Sequence, residues 1–297
     1  MKRKLCSVLL SAVALLLLMG AGPAPKQEAT MLAEEEGAVL TAAPRTGNQS
    51  LDDKLLIDGA MAPKTLGKTY HNDVTYVALE PMARILDPQV QIAWDSNSKT
   101  LSVYSHHLVL HAKAGHDYVE ANGRYLPMDE PIYLEGNKLM MPLTTVAKCF
   151  DAKVAWDANT GVTSVTRGSG AITHANEFYN ADELFWLSRA IYAESGNQPM
   201  DGKISVGTVI MNRVANPNYP NTVKGVLAQR NQFSTYAGGA LANRTPNASS
   251  VLAAKLVLEG ARVEETENAL YFDSCTNSWA ARHRECIAVI GGHKFYN

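Results

Sequence analysis

The feature that most limits how this chain can fold is an internal repeat, because a duplicated unit must fold so that its copies bury one another's apolar surface. Asp58-Gly59 aligns with Asn122-Gly123, Tyr76-Val77-Ala78-Leu79 with Met140-Met141-Pro142-Leu143, and Met82-Ala83-Arg84-Ile85-Leu86-Asp87 with Val146-Ala147-Lys148-Cys149-Phe150-Asp151, all at one offset. After a two-residue slip, Ile92-Ala93-Trp94-Asp95 matches Val154-Ala155-Trp156-Asp157. Each copy reads as a turn, a strand, a short helix and a hairpin. Its Trp-Asp pair precedes a polar turn at Ser96-Asn97-Ser98 or Ala158-Asn159-Thr160-Gly161, and strands over 100–104 and 162–165 close it. Two copies pressing their apolar faces together predict a compact β-rich domain over residues 51–168.

The repeat leaves room on both sides in a chain of 297 residues. Met-Lys-Arg-Lys followed by an apolar run to Gly22 has the order of a secretory leader, so residues 1–24 are expected to be a signal peptide cleaved near Ala24. The alternative is an uncleaved anchor, the one route by which this reading touches a membrane. Cys6 lies in the leader and lacks a lipidation pattern. Residues 25–50 are rich in Ala, Pro, Gly, Glu and Thr without aromatics and read as a flexible linker, as do residues 169–178, which begin near Gly168-Ser169-Gly170. The net charge of −2 falls to −5 without Lys2, Arg3 and Lys4, so no basic face points to a nucleic-acid partner.

His107 and His111 would share one strand face near His106 and His116, which raises a metal site. No carboxylate or cysteine accompanies them at ligand spacing, so a polar strand face accounts for them, and no metal or cofactor is expected. The repeat resembles the copper amine oxidase N-terminal-like, or stalk, domain. That resemblance implies a binding or spacing module, for wall polymer or protein, without copper chemistry.

Beyond residue 178, Asn180 followed by Glu183 forms a capping pair, and Leu184, Leu187, Ser188 and Ile191 recur at helical spacing to Gly196, expected to stop the helix in a left-handed conformation. Glu194 therefore sits at a helix C-terminus, where the negative end of the dipole favours the protonated carboxyl that a general acid needs. The bland reading is a solvated glutamate. A second helix over 200–214 carries Ile204, Gly207, Ile210, Met211 and Val214 on one face, with Gly207 allowing close approach by the first. Asn212-Arg213 reads as an anchor for the 216–220 loop, and Asn221 as the cap of a helix over 222–227.

The run from Gln229 to Tyr236, holding Gln232, Phe233 and Ser234, has the aromatic and amide content of a sugar groove, and the polar loop 273–284 adds Asn277 and Trp279. A helix over 249–262, a strand over 269–272 and a hairpin over 287–296 turning at Gly291-Gly292 complete the expectation. An oxidising exterior permits a Cys275 to Cys286 disulfide, leaving Cys149 as a buried apolar residue. The alternative takes Cys275 or Cys286 as a thiol nucleophile with His283 or His293, as in a wall peptidase. A third alternative is a non-catalytic wall-binding module.

Ala190-Ile191-Tyr192-Ala193-Glu194, Val209-Ile210-Met211-Asn212-Arg213-Val214, Tyr219-Pro220-Asn221-Thr222-Val223, Gln232-Phe233-Ser234, Ala269-Leu270-Tyr271-Phe272 and Ile290-Gly291-Gly292-His293-Lys294-Phe295-Tyr296, in this order, resemble the SleB/CwlJ-type cell-wall hydrolases, spore cortex-lytic enzymes among them, over residues 179–297. The resemblance implies an overall α+β chain whose second domain is mainly helical and lysozyme-like with a small sheet. It also implies a peptidoglycan substrate, a catalytic role for Glu194, and a groove lined by Gln232, Phe233, Ser234, Tyr271, His293 and Tyr296. Apart from Asp273, no second carboxylate stands in an obvious catalytic position, and a lone catalytic carboxylate points to a lytic transglycosylase working between N-acetylmuramic acid and N-acetylglucosamine, secreted to the cell wall or spore envelope.

Overall fold

The computed structural model describes residues 54–230, 232–275 and 277–297. The leader, the 25–50 linker and Cys6 lie outside them. The chain is α+β, and among the described residues two large hydrophobic cores stand out, one drawn from Leu55 to Ile172 and the other from Leu187 to Phe295, beside a small cluster of Tyr76, Ala78 and Met140.

The first core is built by the repeat. Strand β1 (Leu55–Ile57) turns into β2 (Ala60–Met61), β3 (Lys68–His71) pairs with β4 (Val74–Ala78), helix α1 (Leu79–Leu86) follows, and β5 (Gln91–Asp95) pairs with β6 (Thr100–Tyr104). Strand β7 (Val109–Lys113) leads into the second copy, which runs through β8 (Tyr118–Ala121), β9 (Arg124–Pro127), β10 (Tyr133–Glu135), β11 (Lys138–Pro142), α2 (Leu143–Cys149), β12 (Lys153–Asp157) and β13 (Val162–Thr166). Asp58-Gly59 and Asn122-Gly123 both turn with two successive positive φ values, 48° and 80° in one, 49° and 77° in the other. Tight hairpins twist this way, and glycine at the second position meets no steric cost. The repeated aspartates have one job in each copy: Asp95 Oδ1 accepts from Asn97 N at 2.9 Å, and Asp157 Oδ1 from Asn159 N at 2.8 Å. Each closes its turn with a side chain.

The copies do not simply press face to face as expected; they exchange hairpins. Strand β1 pairs in parallel with β13, giving the order β12-β13-β1-β2, while β8 and β9 complete the sheet of the first copy in the order β5-β6-β7-β8-β9. A third sheet, β10-β11-β4-β3, joins the copies where β4 and β11 run antiparallel. Each copy therefore completes the other's hydrogen bonding, which leaves fewer open strand edges. His111 Nδ1 lies 2.9 Å from Ser102 Oγ, and among the described residues no three His, Cys, Asp or Glu side chains group to hold a metal.

The second core gathers around helices α4 (Ala181–Ser195), α5 (Met200–Ala215) and α7 (Ala248–Leu258), with the shorter α3 (Ala175–Phe178), α6 (Val223–Ala228) and α8 (Trp279–His283) at its edges. Strands β14 (Tyr271–Asp273), β15 (Cys286–Ile290) and β16 (His293–Tyr296) form a sheet in the order β14-β16-β15. Asn180 caps α4 by accepting from the backbone of Asp182 and Glu183. Every residue of α5 from Gly202 to Ile210 is buried, so it is the central helix rather than one with a single apolar face. At Gly207 an added Cβ would lie 2.9 Å from Val257 Cγ2 and 3.0 Å from Ile191 Cδ1, so the missing side chain lets α4 and α7 close on α5.

Several local expectations differ from the structure. Gly196 is right-handed (φ −55°, ψ −26°), and glycine is needed there because a Cβ would meet Tyr192 O at 2.5 Å. Thr222, not Asn221, caps α6. Helix α7 stops at Leu258, short of Arg262, because Gly260 takes φ 99°. Strand β14 starts at Tyr271 rather than 269. The Cys275 to Cys286 bridge is not made: Cys286 is free and exposed. The sheet order explains this. Strand β16 separates β14 from β15, and Cys286 pairs with Tyr296 while Cys275 lies past the opposite end of β14. Two strand spacings of about 4.8 Å exceed the usual ~5.5 Å between bridged Cα atoms.

The cores are joined by a buried ion pair. Arg124 Nε and Nη2 meet Glu259 Oε1 and Oε2 at 2.6 and 2.8 Å, with side chains 6% and 1% exposed. Tyr179 Oη donates to Glu259 Oε1 at 3.2 Å, and Lys255 Nζ donates to Gly123 O at 2.9 Å. Residues 169–178, expected as a loose linker, are tied to the first core: Ile172 is buried there, its carbonyl accepts from Asn122 Nδ2 at 2.9 Å, and Ala175 N donates to Asn122 O.

Candidate active site

Glu194 occupies the penultimate position of α4. Leu187, Ala190 and Ile191 turn one side of that helix into the core, and Glu194 continues the same face one turn further on, at the edge of a cavity of about 120 Å³. Arg213, Gln232, Phe233, Phe272, Asp273, Ser274, Cys275 and His293 complete the lining. Thr235 Oγ1 donates to Glu194 Oε1 at 2.7 Å. Burial pushes the Glu194 carboxyl above the ordinary carboxylate range, against the Thr235 hydrogen bond and the positive charge of Arg244, which both favour ionisation. The direction is the one expected from its place on the helix, but burial, rather than the helix dipole, is the main cause.

Arg213 lies across the cavity wall and is 2% exposed. Its Nε donates to Leu270 O at 2.7 Å and its Nη1 to Gln232 Oε1 at 3.0 Å. The rings of Tyr219, Tyr271 and Phe233 surround the guanidinium, with centroids 5.3, 5.3 and 5.5 Å away. Among the described residues no carboxylate pairs with it, and burial lowers its pKa. Asp273, a second carboxylate in the lining, accepts from Ser278 Oγ, from Cys275 N at 3.1 Å and from Tyr296 Oη at 3.3 Å. Its lone pairs hold the loop after β14. The His293 ring packs edge-on to Phe272 with centroids 5.5 Å apart, its buried Nδ1 has no partner among the described residues, and burial lowers its pKa.

Of the residues expected from the sequence, Glu194, Gln232, Phe233 and His293 meet at the cavity. Tyr271 stands behind Arg213 and accepts from Tyr219 Oη at 3.1 Å. Trp279 packs at a tilt against Tyr271 at 5.6 Å and stacks on His283 at 5.0 Å, away from the lining, while Ser234 and Asn277 are exposed outside it. Tyr296 is corrected: it is 1% exposed with its hydroxyl on Asp273, so it supports the site and cannot touch a substrate. Cys286, the free and exposed thiol of the peptidase alternative, lies outside this lining. In the sequence Thr235 was only one member of the polar 229–236 run, with no role of its own, and Arg213 read as a loop anchor. The signal for Arg213 was an always-charged residue one turn beyond Val209 and Ile210 on a buried helix.

Residues 60–165 match the copper amine oxidase N-terminal domain, and residues 197–296 match the cell wall hydrolase family, starting three residues after Glu194. A spore cortex-lytic enzyme from Bacillus cereus is 31% identical over 184 residues, 57% of this chain and 67% of that protein. The spore cortex-lytic enzyme of Bacillus subtilis is 30% identical over 120 residues, 39% of this chain and 38% of that one. The solved catalytic domain of the germination-specific lytic transglycosylase SleB from Bacillus anthracis is 32% identical, covers 40% of this chain and 97% of its own, and superposes with a TM-score of 0.37. With two thirds of the Bacillus cereus enzyme matched at this identity, the chain belongs to the cell wall hydrolase family that the spore cortex-lytic enzymes represent.

Proposed function

We propose that this protein cleaves the glycan strands of peptidoglycan as a lytic transglycosylase, with Glu194 as both acid and base. The observation that carries the reading is a carboxyl group whose protonated form is favoured by burial, at the rim of a cavity lined by Phe233, Phe272 and the amide of Gln232. A cavity of this size takes one substituent of a sugar, so the strand itself lies across the mouth. Protonated Glu194 gives its proton to the oxygen linking N-acetylmuramic acid to N-acetylglucosamine, and the C1–O bond breaks. The resulting carboxylate then takes the proton of the muramic C6 hydroxyl, whose oxygen bonds to C1 and leaves a 1,6-anhydro end. Acid and base are regenerated in one group, so no second carboxylate is required. The three hydrogen bonds that occupy Asp273 support this single-carboxylate route.

The place of action that fits is the cell wall or spore envelope, reached by export through the leader, with the repeat domain holding wall polymer or protein. A second reading, hydrolysis with Asp273 as base, has one observation in its favour: Asp273 lines the same cavity. Muropeptide mass spectrometry separates the two, because anhydro ends lack the water that hydrolysis adds. Glu194→Gln is expected to slow fragment release about 10²–10⁴-fold with folding retained. Hydrated ends would sink the transglycosylase step, and full activity of the variant would sink the assignment of Glu194.

A further inference from the structure

The geometry points to Gln232 as the residue that recognises the N-acetyl group of the sugar, with Arg213 as its positioning residue; this rests on the proposed glycan cleavage. A free glutamine amide can turn its oxygen or its nitrogen toward a ligand. Here it cannot choose. Arg213 has only donors, and its Nη1 meets Gln232 Oε1 at 3.0 Å, so the amide oxygen faces the guanidinium and the NH2 group, without a partner among the described residues, is left for the cavity. Arg213 is itself held by Leu270 O and three aromatic rings, and no carboxylate competes for it. The cavity therefore presents a fixed hydrogen-bond donor beside the apolar faces of Phe233 and Phe272, with the unpartnered Nδ1 of His293 nearby in the lining.

An acetamido group matches that arrangement: its carbonyl oxygen accepts from Gln232 Nε2 and its methyl lies against the phenyl rings. A carboxylate guest matches it poorly, because Glu194 and Asp273 line the same small space. An amino sugar without its acetyl group offers no acceptor, so it leaves the Gln232 donor unsatisfied.

The test compares release of fragments from peptidoglycan strands and from the same strands after chemical de-N-acetylation. The wild-type protein is expected to cleave acetylated strands at least about tenfold faster, the value of one well-placed hydrogen bond to a buried donor. Gln232→Met keeps the length and removes the donor, and is expected to slow only the acetylated substrate and bring the two rates together. Gln232→Glu keeps an acceptor for Arg213, so the fold is preserved, and loses the preference as well. Arg213→Lys, which frees the amide to turn, also lowers the preference. The ratio of rates is the readout because damage to the fold slows both substrates alike. A Gln232→Met protein that keeps the tenfold preference overturns the inference, as does a wild-type protein that releases fragments from both substrates equally. Failure of the wild-type protein to release fragments from either removes the proposed function along with it.

Discussion

At the residue scale the chemistry turns on how one carboxyl is poised between burial and its hydrogen bond. Burial raises the Glu194 pKa while the Thr235 hydroxyl opposes the rise, so Thr235→Val is expected to raise it further. The acid step needs the protonated form, and the high-pH limb of the kcat/KM profile should therefore move to higher pH; an unmoved or lower limb would remove Thr235 from the site. The same shift has a cost in stability with a definite sign. A carboxyl with a raised folded pKa destabilises the fold once pH climbs above its unfolded value, and the loss is complete above the folded value. Glu194→Gln should be more stable than wild type to urea at neutral pH, and the difference should vanish in acid below the ordinary carboxylate range. Glu194 and Gln232 were legible in the sequence because their neighbours form recognisable blocks. Thr235 was not, because its partner is 41 residues away and only folding brings them together.

At the element scale the site depends on how closely three helices pack. Gly207 leaves no room for a side chain between Val257 and Ile191, so Gly207→Leu forces α4 and α7 away from α5. A destabilisation of about 1–3 kcal/mol is expected, read from the midpoint of chemical unfolding. Activity should fall further than the folded fraction accounts for, because Glu194 rides on α4 and Arg213 on α5. The helices themselves were plain from apolar spacing, and Gly207 was readable as a contact point with the first helix. That α7 closes on the same glycine was not, since the periodicity of α5 says nothing of which helices cover it. The end of α4 beside Gly196 was also readable, although Gly196 is right-handed there rather than left-handed.

At the scale of the whole molecule, Glu259 ties the two cores together through Arg124, with Lys148 Nζ at 3.6 Å contributing little because its side chain is half exposed. Glu259→Ala leaves Arg124 buried without its partner and is expected to cost about 3–5 kcal/mol. Unfolding in urea should separate into two steps, with new protease sensitivity over residues 169–178. Replacing the pair together, Arg124→Met with Glu259→Leu, should recover most of the loss, since an apolar pair needs no compensating charge. A single sharp transition in Glu259→Ala would show that the cores are held together by something else.

The sequence by itself determined what depends on near neighbours: the duplicated unit, the Asp-Gly and Asn-Gly turns, the helical segments and the placing of Glu194 at the end of one. Long-range packing set the rest: the copies exchange hairpins, β16 holds Cys275 and Cys286 apart, Tyr296 is buried, and Arg213 turns the amide of Gln232 toward the cavity. The reason is physical. Periodicity reports that a face is apolar and a charge is present, while the identity of the covering surface and of the hydrogen-bond partner is set by segments far apart in the chain.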